Sequence, residues 1–161
     1  MDKKLQAVIK YVVDISSVDN ITPKKLQKLL YYIQSWHLAL NAENDSAEEL
    51  ESSLIFKEKF EAWVHGPVIP EVYIEYKGYG SSSIDTSGFD INYETVLSRD
   101  EIATINEVLD IYGGFDGNEL EVLTHNEQPW IEARGDLTPL ESSNKHISNK
   151  TVFNFYGEKL V

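Results

Sequence analysis

Hydrophobic residues in the first forty positions recur at the three- and four-residue spacing of amphipathic helices. A first helix, ending before Ser16, is predicted by five of them: Leu5, Val8, Ile9, Val12 and Val13. Thr22 and Pro23 predict the start of a second helix, because Thr caps helices and Pro suits the first helical position. The second helix has a broad apolar stripe formed by Leu26, Leu29, Leu30, Ile33, Trp36, His37 and Leu40. We therefore expect it to be buried along most of its length, at the centre of the fold.

The segment 60–76 combines a short aromatic run, a break and a new helix. Residues 60–63 favour a strand, and Gly66-Pro67 interrupts it. Pro70 suits the first turn of a helix, because that position needs no N–H donor. Apolar residues then follow at helical spacing: Val72, Tyr73 and Tyr76. The predicted order is strand, hard turn and helix, with neighbouring helices covering the apolar surface of the segment.

Two polar segments separate the predicted helices. Residues 41–53 are acidic and predict a mobile connection. Residues 81–97 mix Ser, Asp and Gly with isolated apolar residues, which predicts a loop with any strand confined to about 91–96.

The last third of the chain predicts further helices with clear start and stop signals. Residues 98–101 match a capping box, and the helix that follows is expected to stop at a left-handed Gly113-Gly114. Asn118 indicates another helix start, which Pro129 is expected to break or kink. A last helix begins near Ser148.

These elements predict a mainly α (α+β) fold, a helical bundle of about six helices with a short β element around residues 54–64. The length of 161 residues suits one domain, so 1–161 is treated as a single unit. No apolar run approaches the roughly 20 residues of a membrane span. No secretory pattern is visible near the start and there is no cysteine, so we expect a cytoplasmic protein without membrane association.

The net charge of −13 argues against a general nucleic-acid binder. Residues 1–40 carry a net charge of +3 and the remainder −16. The acidic part either attracts a basic partner or is an ordinary solvated surface. The lysines at 24, 25 and 28 are expected on a solvated face, the alternative being contact with phosphate by a helix-turn-helix.

Candidate chemistry is sparse in the chain. The four histidines, at 37, 65, 125 and 146, lack the spacing of a metal site. There is no GxSxG, phosphate-binding glycine loop or dinucleotide fingerprint. We therefore predict no catalytic, metal or cofactor site and a function other than catalysis. Three tryptophans and nine tyrosines fit core packing, with interface anchoring as the alternative.

Four blocks of sequence carry a more specific signal in combination. They read LQKLLYY at 26–32, WHLA at 36–39, FEAWVHGPVIPEVY at 60–73, and LTH, PW and AR within 123–134. Together they resemble the Panacea domain, the family of the antitoxin SocA and of the phage- or mobile-element-associated GepA proteins. The resemblance covers roughly residues 5–157. It implies a bacterial antitoxin that neutralises a cognate protein toxin by direct stoichiometric binding.

The resemblance also marks motif positions as candidates for partner binding, without naming the contacting residues. The motif positions in this chain are Gln27, Lys28, Tyr31, Trp36, His37, Glu61, Trp63, Gly66, Pro67, Pro70, Tyr73, Thr124, His125, Pro129 and Trp130. Two alternative functions stay open: an adaptor that delivers a toxin to a ClpXP-type protease, and a DNA-binding regulator of its own operon. The sequence also leaves open whether the protein forms a homo-oligomer.

Overall fold

The computed structural model describes residues 1–160, which form nine α-helices and one two-stranded antiparallel sheet. The helices are α1 (Lys3–Lys10), α2 (Pro23–Asn41), α3 (Ala47–Ser52), α4 (Pro70–Tyr76), α5 (Tyr93–Val96), α6 (Arg99–Tyr112), α7 (Gly117–His125), α8 (Gln128–Arg134) and α9 (Asn149–Glu158). A π-helical turn (Tyr11–Ile15) extends α1, and a 3₁₀ turn (Lys77–Tyr79) extends α4. Strands β1 (Glu61–Trp63) and β2 (Gly66–Val68) form the sheet. The predicted mainly α fold with a short β element is confirmed.

Helix α2 is the central element, as its broad apolar stripe predicts. Fourteen of its nineteen residues are buried, and α6, α7, α9, β2 and α4 all pack against it. Its start is also as predicted: the Thr22 hydroxyl oxygen accepts a hydrogen bond from the N–H of Lys25, and Pro23 lies in the first turn. No helix within residues 1–160 is both long and apolar enough to cross a membrane.

The described residues contain more helices than the expected six because α3, α5 and α8 are short. Helix α3 replaces part of the predicted mobile connection; the Ser46 hydroxyl oxygen accepts from the N–H of Glu49, and Leu50 is buried. Because only one of its six residues is buried, the segment shows no helical periodicity of apolar residues in the sequence. Tertiary packing therefore determines that it is helical. Helix α5 is a single helical turn, capped by Asn92, within the segment 81–97 that was predicted to be mainly loop.

The β element lies at 61–68, so it overlaps the expected range of 54–64 at β1 and extends beyond it at β2. Residues 54–60 form no strand, and Gly66-Pro67, predicted to end the strand, belongs to β2. The hairpin is closed by Val64 and His65, with Trp63 opposite Gly66. Gly66 has φ +105°, a conformation that L side chains rarely adopt, so the break and the second strand coincide at this residue.

The helix boundaries in the last third are mostly as predicted. The capping box of Ser98 and Glu101 is present, α8 begins beside Pro129, and Ser148 caps α9. The prediction that α6 ends with Gly113 in a left-handed conformation is wrong, because the φ of Gly113 is −64°. A Cβ at Gly113 would clash with the Leu109 carbonyl oxygen and lie 2.9 Å from Val18 Cγ2, so close packing is what requires glycine there. Helix α7 begins with Asp116 as its cap, two residues before Asn118.

A buried cluster of tyrosines surrounds one carboxylate at the junction of α2 and α9. The Glu127 carboxylate accepts hydrogen bonds from the hydroxyl groups of Tyr32 (2.7 Å) and Tyr156 (2.9 Å). Burial raises the pKa of Glu127, and these two hydrogen bonds oppose that rise. The Tyr32 ring also stacks on Tyr112 at 4.0 Å. The cluster therefore ties α2 to α6, α9 and the segment before α8.

We expect the Tyr156→Phe substitution to lower the free energy of unfolding by about 1–3 kcal/mol, because the partly buried Glu127 carboxylate loses a donor from the buried Tyr156. Tyr79→Phe is the matched control, since the Tyr79 hydroxyl donates to Asp85 at an exposed position. The control should change stability by about 0.5 kcal/mol or less. Urea denaturation measures both, and equal losses would contradict a special role for the buried cluster.

Candidate partner-binding groove

A groove of about 780 Å³ lies between the first turns of α2, the β1–β2 hairpin and α4. We call it the hairpin groove. Its lining from α2 is Pro23, Lys24, Gln27 and Lys28; from the hairpin, Glu61, Trp63, Val64, His65 and Val68; and from α4 and its extension, Val72, Tyr73 and Lys77. Gly80 and residues 142–144 complete it.

Gln27 fixes α4 to α2 through one side-chain amide. Its Nε2 donates to the Ile69 carbonyl oxygen at 3.0 Å, and its Oε1 accepts from the Ile69 N–H at 2.9 Å. Ile69 is the residue before α4, and Pro70 starts the helix. Both backbone groups of Ile69 are therefore satisfied by a buried side chain from α2, which sets the position of one groove wall.

Lys28 lies at the floor of the groove and is only 1% exposed. Its Nζ donates to the Pro67 carbonyl oxygen at 3.1 Å. Burial lowers the pKa of the Lys28 amine to about 7, against the opposing attraction of Glu121. Gly66 covers the side chain closely: a Cβ there would lie 2.7 Å from Lys28 Cε and 3.0 Å from Thr124 Oγ1.

An aromatic pair forms the opposite side of the groove. The rings of Trp63 and Tyr73 meet edge to face, with centroids 5.1 Å apart. The indole Nε1 of Trp63 donates to Glu61 Oε1 at 2.9 Å. Tyr73 is 44% exposed and Trp63 is half-buried, so both rings are accessible from solvent.

Helix α8 holds the hairpin from behind. Trp130 Nε1 donates to the Trp63 carbonyl oxygen at 3.0 Å, and Arg134 Nη1 donates to the Ala62 carbonyl oxygen at 3.1 Å. The His125 imidazole stacks on Trp130 at 3.9 Å. Burial lowers the pKa of His125, while Glu121 opposes this change. These contacts fix β1 before any partner binds.

The Glu121 carboxylate of α7 contacts two basic side chains at one edge of the groove. Its carboxylate accepts from Lys24 Nζ at 2.7 Å and lies 3.1 Å from His65 Nδ1. Burial would raise the pKa of Glu121, but the hydrogen bonds from Lys24 and His65 lower it overall. Lys24 also donates to Asn118 at 2.9 Å. The carboxylate therefore joins α7 to both α2 and the hairpin turn.

The prediction that the three lysines of α2 lie on a solvated face is wrong. Lys25 is 4% exposed, and its Nζ donates to the carbonyl oxygens of Asp19 and Gly113. Lys28 is buried under Gly66, and Lys24 is paired with Glu121. Backbone carbonyl oxygens accept hydrogen bonds from Lys25 and Lys28, which turns both ammonium groups inward. The three lysines therefore do not form the exposed basic surface that the helix-turn-helix alternative requires.

The motif residues fall into three groups in space. Those that line the groove are Gln27, Lys28, Glu61, Trp63 and Tyr73. Those that hold its hairpin and α4 from behind are Gly66, Pro67, Pro70, Thr124, His125, Pro129 and Trp130. Those buried in or beside the tyrosine cluster and α6 are Tyr31, Trp36 and His37. The last group therefore contributes packing away from the groove.

Several groove residues carry no signal in the sequence. Lys24, considered only as part of a lysine face, His65, considered only as a metal ligand, and Lys77 have no local pattern that relates them, and only the folded chain brings them to one opening. Lys77 lies four residues after Tyr73, which places the two on one side of a helix, and this spacing is the only local indication.

Residues 26–131, about two-thirds of the chain, match the family model described as antitoxin SocA-like, Panacea domain. The chain belongs to this family of antitoxins. The match runs from α2 into α8 and so includes most of the groove lining and the helices that support the hairpin. Comparison with curated proteins gives no match, and neither does comparison with solved structures.

Proposed function

We propose that this protein is the antitoxin of a toxin-antitoxin system and neutralises a cognate protein toxin by direct stoichiometric binding through the hairpin groove. The observation that carries the proposal is the match to an antitoxin family over residues 26–131, the segment that supplies most of the groove.

The construction of the groove suits a binding protein. Trp63 and Tyr73 are of the residue types that dominate interface hot spots, and they present accessible rings beside apolar valines. Hydrogen bonds from α8 and α2 already hold β1 and the start of α4. A preformed surface loses little conformational entropy on binding, which favours tight association.

The charge distribution supports a partner that is more basic than this chain. The net charge is −13, so a cationic toxin would be attracted over distances near the Debye length, roughly 8 Å at physiological salt. Long-range attraction of this kind raises the association rate more than it raises affinity.

Coexpression tests the proposal. The product of the adjacent gene, expressed alone, should arrest growth, and coexpression of this chain should restore growth and yield a complex on one-step purification. The complex should contain the two chains in a fixed ratio. If no neighbouring gene product binds this chain or is neutralised by it, the proposal fails.

Direct neutralisation and delivery to a ClpXP-type protease predict different fates for the toxin. Under direct neutralisation the toxin persists at a steady level and growth is restored in cells that lack the protease. Under delivery, growth is restored only when the protease is present, and the toxin half-life shortens when this chain is expressed. Pulse-chase measurement of the toxin in both strains distinguishes the two.

A further inference from the structure

The ammonium group of Lys28 is buried with most of its hydrogen-bonding capacity unused. A lysine ammonium has three donors, and Lys28 Nζ has one acceptor among residues 1–160, the Pro67 carbonyl oxygen. Glu121, the acid that acts on it electrostatically, is already bound by Lys24 and His65. Burial without fuller pairing disfavours the charged form, which is why the pKa of Lys28 is lowered, and an anion placed beside the amine would favour its protonated form. Lys28 is thus equipped to receive an anion from the groove.

The walls above Lys28 are mainly apolar. The apolar part of the lining includes Val68, Val72, Trp63 and Tyr73. The whole groove has a volume of about 780 Å³, which lies within the roughly 300–1,000 Å³ typical of ligand sites. Such a space accommodates a few apolar side chains. A ligand that pairs with Lys28 and also contacts the apolar walls therefore carries an anionic group at one end and apolar groups beside it.

The anion that best fits is a carboxylate at the end of a polypeptide. Lys28 is 1% exposed, so the anion must enter end-on and reach the floor of the groove. A terminal residue carries its carboxylate and its side chain on one Cα, and the preceding residues can lie against Trp63 and Tyr73. At the opening, Lys77 adds a positive charge and Lys24 is already paired with Glu121, whereas Glu61 keeps its negative charge while it accepts a hydrogen bond from the Trp63 indole.

We propose that the hairpin groove binds the carboxyl-terminal end of an apolar segment of the partner protein, with the terminal carboxylate paired to the Lys28 ammonium. The identity of the partner rests on the proposed function. The chemistry of the segment rests on the groove itself.

Affinity selection with peptide pools tests this proposal. The probe is a pool of acetylated hexapeptides whose last four positions vary among Ala, Val, Leu and Phe, prepared as free acids and as amides. The immobilised protein should retain the acids at least about tenfold better than the amides, the ratio expected for loss of a charged hydrogen bond. Mass spectrometry of the retained peptides gives the ratio. This comparison uses the unmodified protein, so it does not depend on whether a variant folds.

Two variants and two further probes complete the test. Lys28→Met should remove the preference for acids, whereas Lys3→Met, at an exposed position of α1 outside the groove lining, should change it by at most about threefold. Equal retention of acids and amides would overturn the proposal. So would stronger retention of amidated peptides with an internal glutamate, or binding of free 3-phenylpropionate without any of the peptide acids. Neutralisation of a toxin in the coexpression test together with equal retention would reject only the carboxyl-terminal mode.

Discussion

Replacing Lys28 by methionine is expected to remove a large pH dependence from the stability of the protein. The folded-state pKa of Lys28 is lowered to about 7 from the ordinary 10.5 by burial. Between these two values the unfolded chain binds more protons than the folded chain, so the free energy of unfolding rises with pH. For this single group the rise approaches about 1 kcal/mol per pH unit between pH 7.5 and 9.5.

The measurement is urea denaturation of both proteins at several pH values in that window. The difference in free energy of unfolding between wild type and Lys28→Met should shift by about 2 kcal/mol in favour of the wild type from pH 7.5 to 9.5. Lys25, whose pKa burial also lowers, is present in both proteins and cancels in the comparison. Parallel curves for the two proteins would show that Lys28 is not buried as a titrating amine.

Replacing Gly66 by alanine is expected to destabilise the protein by about 2–4 kcal/mol, since two costs add. The φ of +105° strains any L side chain, and the new Cβ would lie 2.7 Å from Lys28 Cε. Lys28 cannot easily retreat, because its Nζ is held by the Pro67 carbonyl oxygen. The free energy of unfolding measures the effect.

Gly78→Ala is the matched control for this substitution. Gly78 lies in the 3₁₀ turn after α4, and a Cβ there has no neighbour within 4 Å. The control should change stability by about 0.5 kcal/mol or less. Comparable losses in the two variants would contradict the close packing of the hairpin against Lys28.

The elements that the sequence predicts well are those encoded by neighbouring residues. Thr22, Pro23 and the capping box of Ser98 and Glu101 act within one helical turn, so their effect is visible in the sequence. The start of α4 at Pro70 is local in the same way. Helix α3 is not encoded by neighbouring residues in this way, because its formation depends on the burial of Leu50 and on packing against α9.

The floor of the groove could not be predicted from local patterns. Lys28 and Gly66 are far apart in sequence, and a lysine on an amphipathic helix is ordinarily exposed. Only the closing of the hairpin over α2 buries the ammonium, and only the family motif marked Lys28 and Gly66 together. Likewise the carbonyl oxygens that draw Lys25 inward belong to Asp19 and Gly113, in separate parts of the chain.

The central claim, that this antitoxin works by binding a partner protein through the hairpin groove, is tested most directly by isothermal titration with the toxin from the adjacent gene. Two double variants are compared with the wild type: Trp63→Ala with Tyr73→Ala in the groove, and Ile111→Ala with Val122→Ala, two exposed residues outside the groove lining. We expect stoichiometric binding to the wild type, at least about 30-fold weaker binding to the groove variant, and a change of no more than about threefold in the control. Equal affinity of the wild type and the groove variant would contradict the claim.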